Sequence, residues 1–133
     1  MKILVIDGQG GGIGAQLVSS IAKNFPDCAI TAVGTNGAAT SAMLKAGAME
    51  AATGENAVIV CCRNADVIVG PVGIVIADSL LGEITPAMAT AVGQSRAKRI
   101  LLPVNQCDNI VAGIADLSVS KLIQHAIDLI REM

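Results

Sequence analysis

The stretch that decides the fold is Lys2–Gly14, which reads KILVIDGQGGGIG. Lys2–Ile6 is a short apolar run rich in β-branched residues, as in a buried strand. The glycine-rich segment Asp7–Gly14 follows directly, and apolar residues then recur at helical spacing up to Phe25. In Rossmann-type folds this order of strand, turn and helix brings backbone N–H groups against a phosphate. We therefore expect a nucleotide or another phosphorylated small molecule to bind at this turn.

Strand-like and helix-like segments alternate along the whole chain, which predicts a parallel sheet covered on both faces. The pattern indicates an α/β fold with a doubly wound, mainly parallel, Rossmann-like sheet of five or six strands in three layers. Residues 1–133 are expected to form a single nucleotide-binding domain. The predicted strands are Lys2–Ile6, Cys28–Val33, Ala48–Ala52, Asp66–Val69 and Arg99–Val104, with a sixth left open at Asn109–Gly113.

Helices are expected between these strands and at the end of the chain. Thr85-Pro86 predicts a helix start, because it joins an N-cap residue to a proline at the first helical position. Ser118 is the predicted N-cap of a final amphipathic helix. The segment from Thr53 to about Arg63 is interpreted as a helix, although its run Val58–Val60 also fits a strand.

The composition excludes several classes of function. The net charge is −2, there is no basic run and Phe25 is the only aromatic residue, so no nucleic-acid partner is expected. No apolar stretch reaches the roughly 18 residues that span a membrane, and the N-terminus lacks a signal-peptide pattern, which predicts a cytoplasmic protein. Hydrophobic residues make up 53% and charged residues 15%. This apolar balance favours a homo-oligomer over a tight monomer with many small residues outside.

The four cysteines, Cys28, Cys61, Cys62 and Cys107, form no C-x-x-C pair, and no metal site is predicted. Cys61 and Cys62 end an apolar run, where cysteine behaves as a small buried hydrophobe. A catalytic Cys107 would need a base to activate it, and no histidine is near it in the sequence. The only histidine, His125, falls on the polar face of the last helix and is expected to be solvated.

Polar and glycine-rich turns follow the predicted strands. The carboxyl ends of parallel strands face one crevice, and ligands bind there in open sheets. We therefore expect the binding residues in these turns, including a turn at residues 105–109. The predicted cofactor-binding residues are Asp7, Gly8, Gln9, Gly10, Gly11, Gly12, Ile13, Gly14, Gly34, Thr35, Asn36, Thr53, Glu55, Asn56, Gly70 and Pro71.

Few side chains are candidates for acid–base chemistry, and the catalytic residues stay unknown at this point. Glu55 is the best carboxylate, because it would lie in the crevice at a helix start. An interaction with the helix dipole explains it equally well. Asp78 and Glu83, which flank a short segment after the fourth strand, are further candidates, and helix-start chemistry is the alternative for Glu83 beside Thr85-Pro86.

The glycine turn fits two spacings. Gly10–Ala15 fits G-x-G-x-x-A, and Gly8–Gly14 fits G-x-x-x-G-x-G, in which it resembles the short-chain dehydrogenases. This resemblance implies NAD(P) as the cofactor. The chain departs from that family in two places: no acid stands at Gly34–Asn36 to hold the ribose, and no tyrosine is present for a Tyr-x-x-x-Lys pair. That family's proton-donor mechanism is therefore excluded, and neither NAD nor NADP is favoured.

Asp7 would place a negative charge near a bound phosphate. Two roles stay open for it: it holds the glycine turn through hydrogen bonds, or it brings in Mg²⁺. A Walker-type phosphate loop is excluded, because the chain contains no Gly-Lys-Ser/Thr.

Blocks along most of the chain resemble an uncharacterised family of short bacterial proteins, known only as a domain of unknown function. The resembling blocks are residues 6–14, 34–36, 39–48, 52–57, 70–71 and 81–86. The resemblance implies no activity and supplies no catalytic residue.

The leading hypothesis is a cytoplasmic nucleotide-binding protein that acts as a sensor, carrier or regulatory subunit, because the chain has no room for a second, substrate-binding domain. Its rival is a small oxidoreductase or other enzyme whose site is completed across a homo-oligomer interface, with Thr53, Glu55, Asn56 and Asn105 beside the cofactor. A third hypothesis is a protein-interaction module with a vestigial nucleotide site.

Overall fold

Five strands and five α-helices alternate along residues 1–104 and 108–133, which are the residues that the computed structural model describes. A short 3₁₀ turn, Val72–Val75, follows the fourth strand. The strands and helices are β1 (Lys2–Asp7), α1 (Gly12–Asn24), β2 (Ala29–Gly34), α2 (Gly37–Lys45), β3 (Glu50–Thr53), α3 (Glu55–Cys61), β4 (Val67–Pro71), α4 (Pro86–Gln94), β5 (Lys98–Leu102) and α5 (Val119–Arg131).

The strands form one sheet in the order β3-β2-β1-β4-β5, and every neighbouring pair is parallel. The predicted doubly wound α/β fold is confirmed, with five strands. The sixth strand left open at Asn109–Gly113 does not form: residues 108–118 contain no strand and are exposed. A parallel neighbour needs a crossover of about a dozen residues or more, and the chain leaves too few between Leu102 and Asn109 for one.

Helices cover both faces of the sheet, and each face has its own apolar core. Side chains of α1, α2 and α5, such as Leu17, Met43 and Ile127, pack on one face. Side chains of α3 and α4, such as Val58 and Val92, pack on the other. The strands supply β-branched side chains to both cores, so the sheet is the middle of three layers.

The helix starts follow from local sequence. The Thr85 side chain accepts a hydrogen bond from the Met88 N–H, and Ser118 accepts from the Lys121 N–H, as predicted for N-caps. The segment after Thr53 is predicted to be a helix, although its sequence also fits a strand. It forms the helix α3. The part of the chain described here contains no helix long and apolar enough to cross a membrane.

Cys61 ends α3 and Cys62 follows it, and both lie against the core. Cys62 is 4% exposed, and burial raises the pKa of its thiol to about 11. Cys61 is partly buried. The core interpretation therefore holds for Cys62 and in part for Cys61, whereas Cys107 lies outside the described residues.

The connection between β4 and α4, residues 72–85, has an unusual backbone. Asp78, Leu80 and Leu81 adopt left-handed conformations with φ of 67°, 55° and 57°, which non-glycine residues rarely do. Leu80 is buried, whereas Leu81 is 97% exposed. This path brings the next residues, Gly82 and Glu83, back toward the carboxyl edge of the sheet, where Glu83 meets the ends of β1 and β2.

Candidate functional site

The Asp7 carboxylate joins the two ends of the glycine turn, residues 8–14, through hydrogen bonds. Its Oδ1 accepts a hydrogen bond of 2.8 Å from the Gly8 N–H, and its Oδ2 accepts one of 2.6 Å from the Gly14 N–H. The turn is completed by a bond of 2.9 Å from the Gly11 N–H to the Gly8 carbonyl. Of the two roles left open for Asp7, this geometry matches the one that holds the turn through hydrogen bonds.

Asp7 is a buried carboxylate, with only 5% of its surface exposed. Burial raises the pKa of the Asp7 carboxyl, and the bonds from the Gly14 and Gly8 amides oppose this rise. The negative charge of Glu83 raises the pKa further.

The glycines of the turn fall into two groups. Gly8, Gly11 and Gly14 are packed glycines: a Cβ added to them would lie within 2.7 Å of Thr35 Oγ1, Ala39 Cα and Asp7 Cβ respectively. Gly10 and Gly12 are open glycines, because an added Cβ would meet no heavy atom within 4 Å. The fold therefore explains the packed glycines and leaves the open ones without a packing reason.

Three backbone N–H groups of the turn donate no hydrogen bond within the described part of the chain. They belong to Gly10, Gly12 and Ile13; the neighbouring amides bond to Asp7, Glu83 or turn carbonyls. Gly12 and Ile13 are the first residues of α1, which runs for 13 residues from its N-cap Gly11. Free amides at the start of a helix are donors for an anion.

Glu83 reaches the end of β2 from the β4–α4 connection. Its Oε1 accepts hydrogen bonds from the Gln9 N–H at 2.8 Å, the Thr35 hydroxyl at 2.5 Å and the Asn36 side-chain amide at 2.9 Å. The hydrogen bond from Thr35 lowers the pKa of the Glu83 carboxyl most, with help from Gln9 and Asn36, while burial opposes it. The carboxylate therefore stays ionised at neutral pH.

Asn36 and Thr35 join the end of β2 to the glycine turn. The Asn36 side chain donates to the Gln9 carbonyl at 2.9 Å and accepts from the Ala39 N–H at 2.9 Å as the N-cap of α2. The Thr35 N–H donates to the Asp7 carbonyl at 3.0 Å. The first two predicted loops are thus brought together, and Glu83 lies between them.

The loop after β3 lies apart from this cluster. The Thr53 and Thr40 hydroxyls lie 2.6 Å apart, and Glu55 accepts a bond of 2.6 Å from the Thr85 hydroxyl. Glu55 and Asn56 are exposed in the first turn of α3. Thr85 is two residues after Glu83, so the β4–α4 connection is the link between the two groups.

Gly34, Gly70 and Pro71 are buried at the strand ends. A Cβ on Gly34 would collide with the Thr40 backbone, and one on Gly70 with the Ile6 carbonyl. Packing between neighbouring strands and helices therefore accounts for both glycines without a ligand.

Sequence reasoning missed the role of Glu83. Its partners Thr35 and Gln9 are 48 and 74 residues away in the chain, so no local spacing signals them. The only available signal is the absence of an acid at Gly34–Asn36, where Rossmann-type sites usually have one. The predicted residue Asn105 lies outside the described residues, and His125 is exposed on α5.

Residues 2–133 match the family model of DUF3842, a domain of unknown function, and the chain belongs to that family. This confirms the resemblance to an uncharacterised family. No curated protein matches the chain. A dodecameric FMN-dependent UbiX-like decarboxylase from Escherichia coli O157:H7 has a similar crystal structure, with a TM-score of 0.44 and 12% identity over 99% of this chain and 93% of that one. At this level of similarity we draw no functional argument from it.

Proposed function

We propose that this DUF3842 protein binds a nucleotide, with a phosphate held by the free N–H groups of Gly10, Gly12 and Ile13. The observation that carries the proposal is that these donors are free at the same place where two glycines have no packing reason. An NAD(P)-like dinucleotide is the leading ligand, because the turn follows β1 at the centre of a Rossmann-like sheet.

The backbone dipoles at the start of α1 favour an anion at this place. The N-terminus of α1 carries about half a positive elementary charge from the aligned peptide dipoles. The carboxylate of Asp7 lies behind the turn and has both oxygens engaged by Gly8 and Gly14. The open glycines leave the backbone accessible, so that phosphate oxygens reach the amides at hydrogen-bond distance.

A binding role, as in a sensor, carrier or regulatory subunit, fits the described side chains better than catalysis. Asp7 is committed to the turn, and one oxygen of Glu83 accepts three hydrogen bonds. Glu55, the candidate catalytic carboxylate, bonds to Thr85 at the start of α3, where an interaction with the helix dipole accounts for it.

The proposal is tested by thermal shift with NAD(H), NADP(H), ATP, ADP, flavins, S-adenosylmethionine and coenzyme A. A ligand at about a hundred times its Kd stabilises a protein by roughly 2.7 kcal/mol, or several degrees. We expect such a shift in the wild type and its loss in Gly12→Val, whose side chain would fill the phosphate position.

The matched control is Gly93→Val, because Gly93 is also helical with open space at its Cβ position. It should keep the ligand-induced shift. The phosphate assignment is wrong if Gly12→Val binds the nucleotide as tightly as Gly93→Val does, with both proteins folded. Absence of any shift in the wild type would contradict nucleotide binding itself.

A further inference from the structure

We infer that Glu83 is the acceptor for the ribose hydroxyls of the bound nucleotide, so that the site selects a free 2′-hydroxyl and rejects a 2′-phosphate. The inference rests on the proposed function, since it concerns the same nucleotide site. It names the substrate class more closely: an NAD-type or ADP-type nucleotide rather than an NADP-type one.

The position of the carboxylate carries the argument. In Rossmann-type sites an acid at the end of the second strand accepts from the ribose 2′-hydroxyl. Here the residues at that place are Gly34, Thr35 and Asn36, none of which is acidic. Glu83 fills the gap from a different element, because its Oε1 is bonded to the Thr35 hydroxyl and the Asn36 amide directly after β2.

One oxygen of Glu83 remains for a ligand. The three hydrogen bonds from Gln9, Thr35 and Asn36 all end on Oε1, and Oε2 has no partner in the described part of the chain. Since no unpartnered side-chain oxygen is buried there, Oε2 is open to solvent. The fixed oxygen orients the group, and the free oxygen accepts from a hydroxyl.

Glu83 lies next to the proposed phosphate site. Glu83 Oε1 binds the Gln9 N–H, and the next amide along the chain, that of Gly10, is one of the three free donors. In the proposed complex the ribose lies at Glu83 and a phosphate lies at the Gly10 amide. A 2′-phosphate would instead bring a second anionic group against the carboxylate, which like-charge repulsion disfavours.

The connection that carries Glu83 is held in place. The Asp78 N–H donates to the Ile84 carbonyl at 2.7 Å, and the Ser79 hydroxyl donates to the Gly73 carbonyl at 2.5 Å. Leu80 is buried beneath the turn, 2% exposed. These contacts fix the left-handed path of residues 80–82, so the carboxylate is positioned before any ligand arrives.

The test is isothermal titration of NAD⁺, NADP⁺, ADP-ribose and 2′-phospho-ADP-ribose into the wild type, Glu83→Gln and Glu132→Gln. Glu132 is an exposed acid at the C-terminal end of α5 and serves as the matched charge control. We expect the wild type and Glu132→Gln to bind NAD⁺ and ADP-ribose at least about tenfold more tightly than their 2′-phosphorylated forms. In Glu83→Gln the preference should fall to within about threefold, through weaker binding of NAD⁺ and ADP-ribose.

The outcomes separate this inference from the proposed function. If the wild type binds the forms with and without a 2′-phosphate equally, or if Glu83→Gln keeps the full preference, Glu83 does not recognise the ribose. The proposed nucleotide site is then unaffected. If Glu83→Gln binds all four compounds more tightly, Glu83 competes with the ligand and the inference is wrong. If the wild type binds neither these four compounds nor any other nucleotide, the proposed function fails, and the inference fails with it. Where Glu83→Gln does not fold, equal binding of both forms by the wild type still overturns the inference.

Discussion

The packed and the open glycines of one turn differ in what surrounds them. Gly11 has a φ of 73° and its Cβ position meets Ala39, whereas Gly10 and Gly12 face empty space. The packed glycines are required by the contacts of the turn with Thr35, with α2 and with Asp7. The open glycines are not, so a glycine-rich sequence motif combines positions that serve the fold with positions that are free to serve a ligand.

The two carboxylates beside the turn show the same contrast. Asp7 is buried, and burial raises its pKa, whereas Glu83 is only partly buried and its hydrogen bonds lower its pKa. The buried acid stabilises the turn at an electrostatic cost. The other acid stays charged beside the crevice, where a ligand meets it.

The largest effect is expected for Gly11→Ala. Alanine would be strained at a φ of 73°, and its Cβ would lie 2.7 Å from Ala39 Cα and 2.9 Å from the Ala39 carbonyl oxygen. Because these are backbone atoms of α2, the helix must shift, and we expect a loss of about 2–4 kcal/mol in the free energy of unfolding. Urea denaturation monitored by circular dichroism measures it.

A smaller loss is expected for Asp7→Asn at pH 7. The amide of asparagine would direct an N–H group at the Gly8 or Gly14 N–H, which leaves a buried donor without an acceptor and costs about 1–3 kcal/mol. The control is Asp66→Asn, because Asp66 also accepts from a backbone N–H, that of Lys2, but is exposed. Equal losses in the free energy of unfolding of the two variants would show that the burial of Asp7 does not increase the cost of its substitution.

The pH dependence sharpens the contrast between the carboxylates. The native pKa of Glu83 lies below its ordinary value of 4.5, so its contribution to stability is present above pH 4.5 and is lost as the pH falls through the native pKa. The native pKa of Asp7 lies above 3.8, so its contribution is present below pH 3.8 and is lost as the pH rises through the native pKa.

We therefore expect two difference curves of opposite slope in urea denaturation between pH 3 and pH 7. The stability difference between wild type and Glu83→Gln should grow as the pH rises toward 4.5. The difference between wild type and Asp7→Asn should shrink as the pH rises above 3.8. Curves of the same sign would mean that one of the two pKa shifts has the wrong direction.

The smallest effect is expected for Gly10→Ala. The added Cβ meets nothing within 4 Å, and the φ of Gly10 is not positive. The unfolded chain loses some conformational freedom, so the free energy of unfolding should stay unchanged or rise by up to about 1 kcal/mol. A loss comparable to that of Gly11→Ala, measured by the same denaturation, would remove the distinction between open and packed glycines.

The sequence predicted the parts of the molecule that local chemistry controls. β1, the glycine turn, the Thr85 cap and the Ser118 cap follow from residues that are close in the chain. The position of Glu83 does not, because it depends on a left-handed path through Leu80 and Leu81 that their side chains do not favour. The sequence left a sixth strand open at Asn109–Gly113, because a short apolar run alone does not show whether a crossover has room to form.

The central place of β1 affects how the protein is made. β1 is synthesised before both of its neighbours: it pairs with β2 through Asp7 and Gly34 and with β4 through Ile3 and Val67. Until residues 67–71 are synthesised, one hydrogen-bonding edge of this apolar strand has no neighbour. A strand edge of this kind pairs readily with other chains. This edge of β1 is therefore open to such pairing until β4 has been synthesised and covers it.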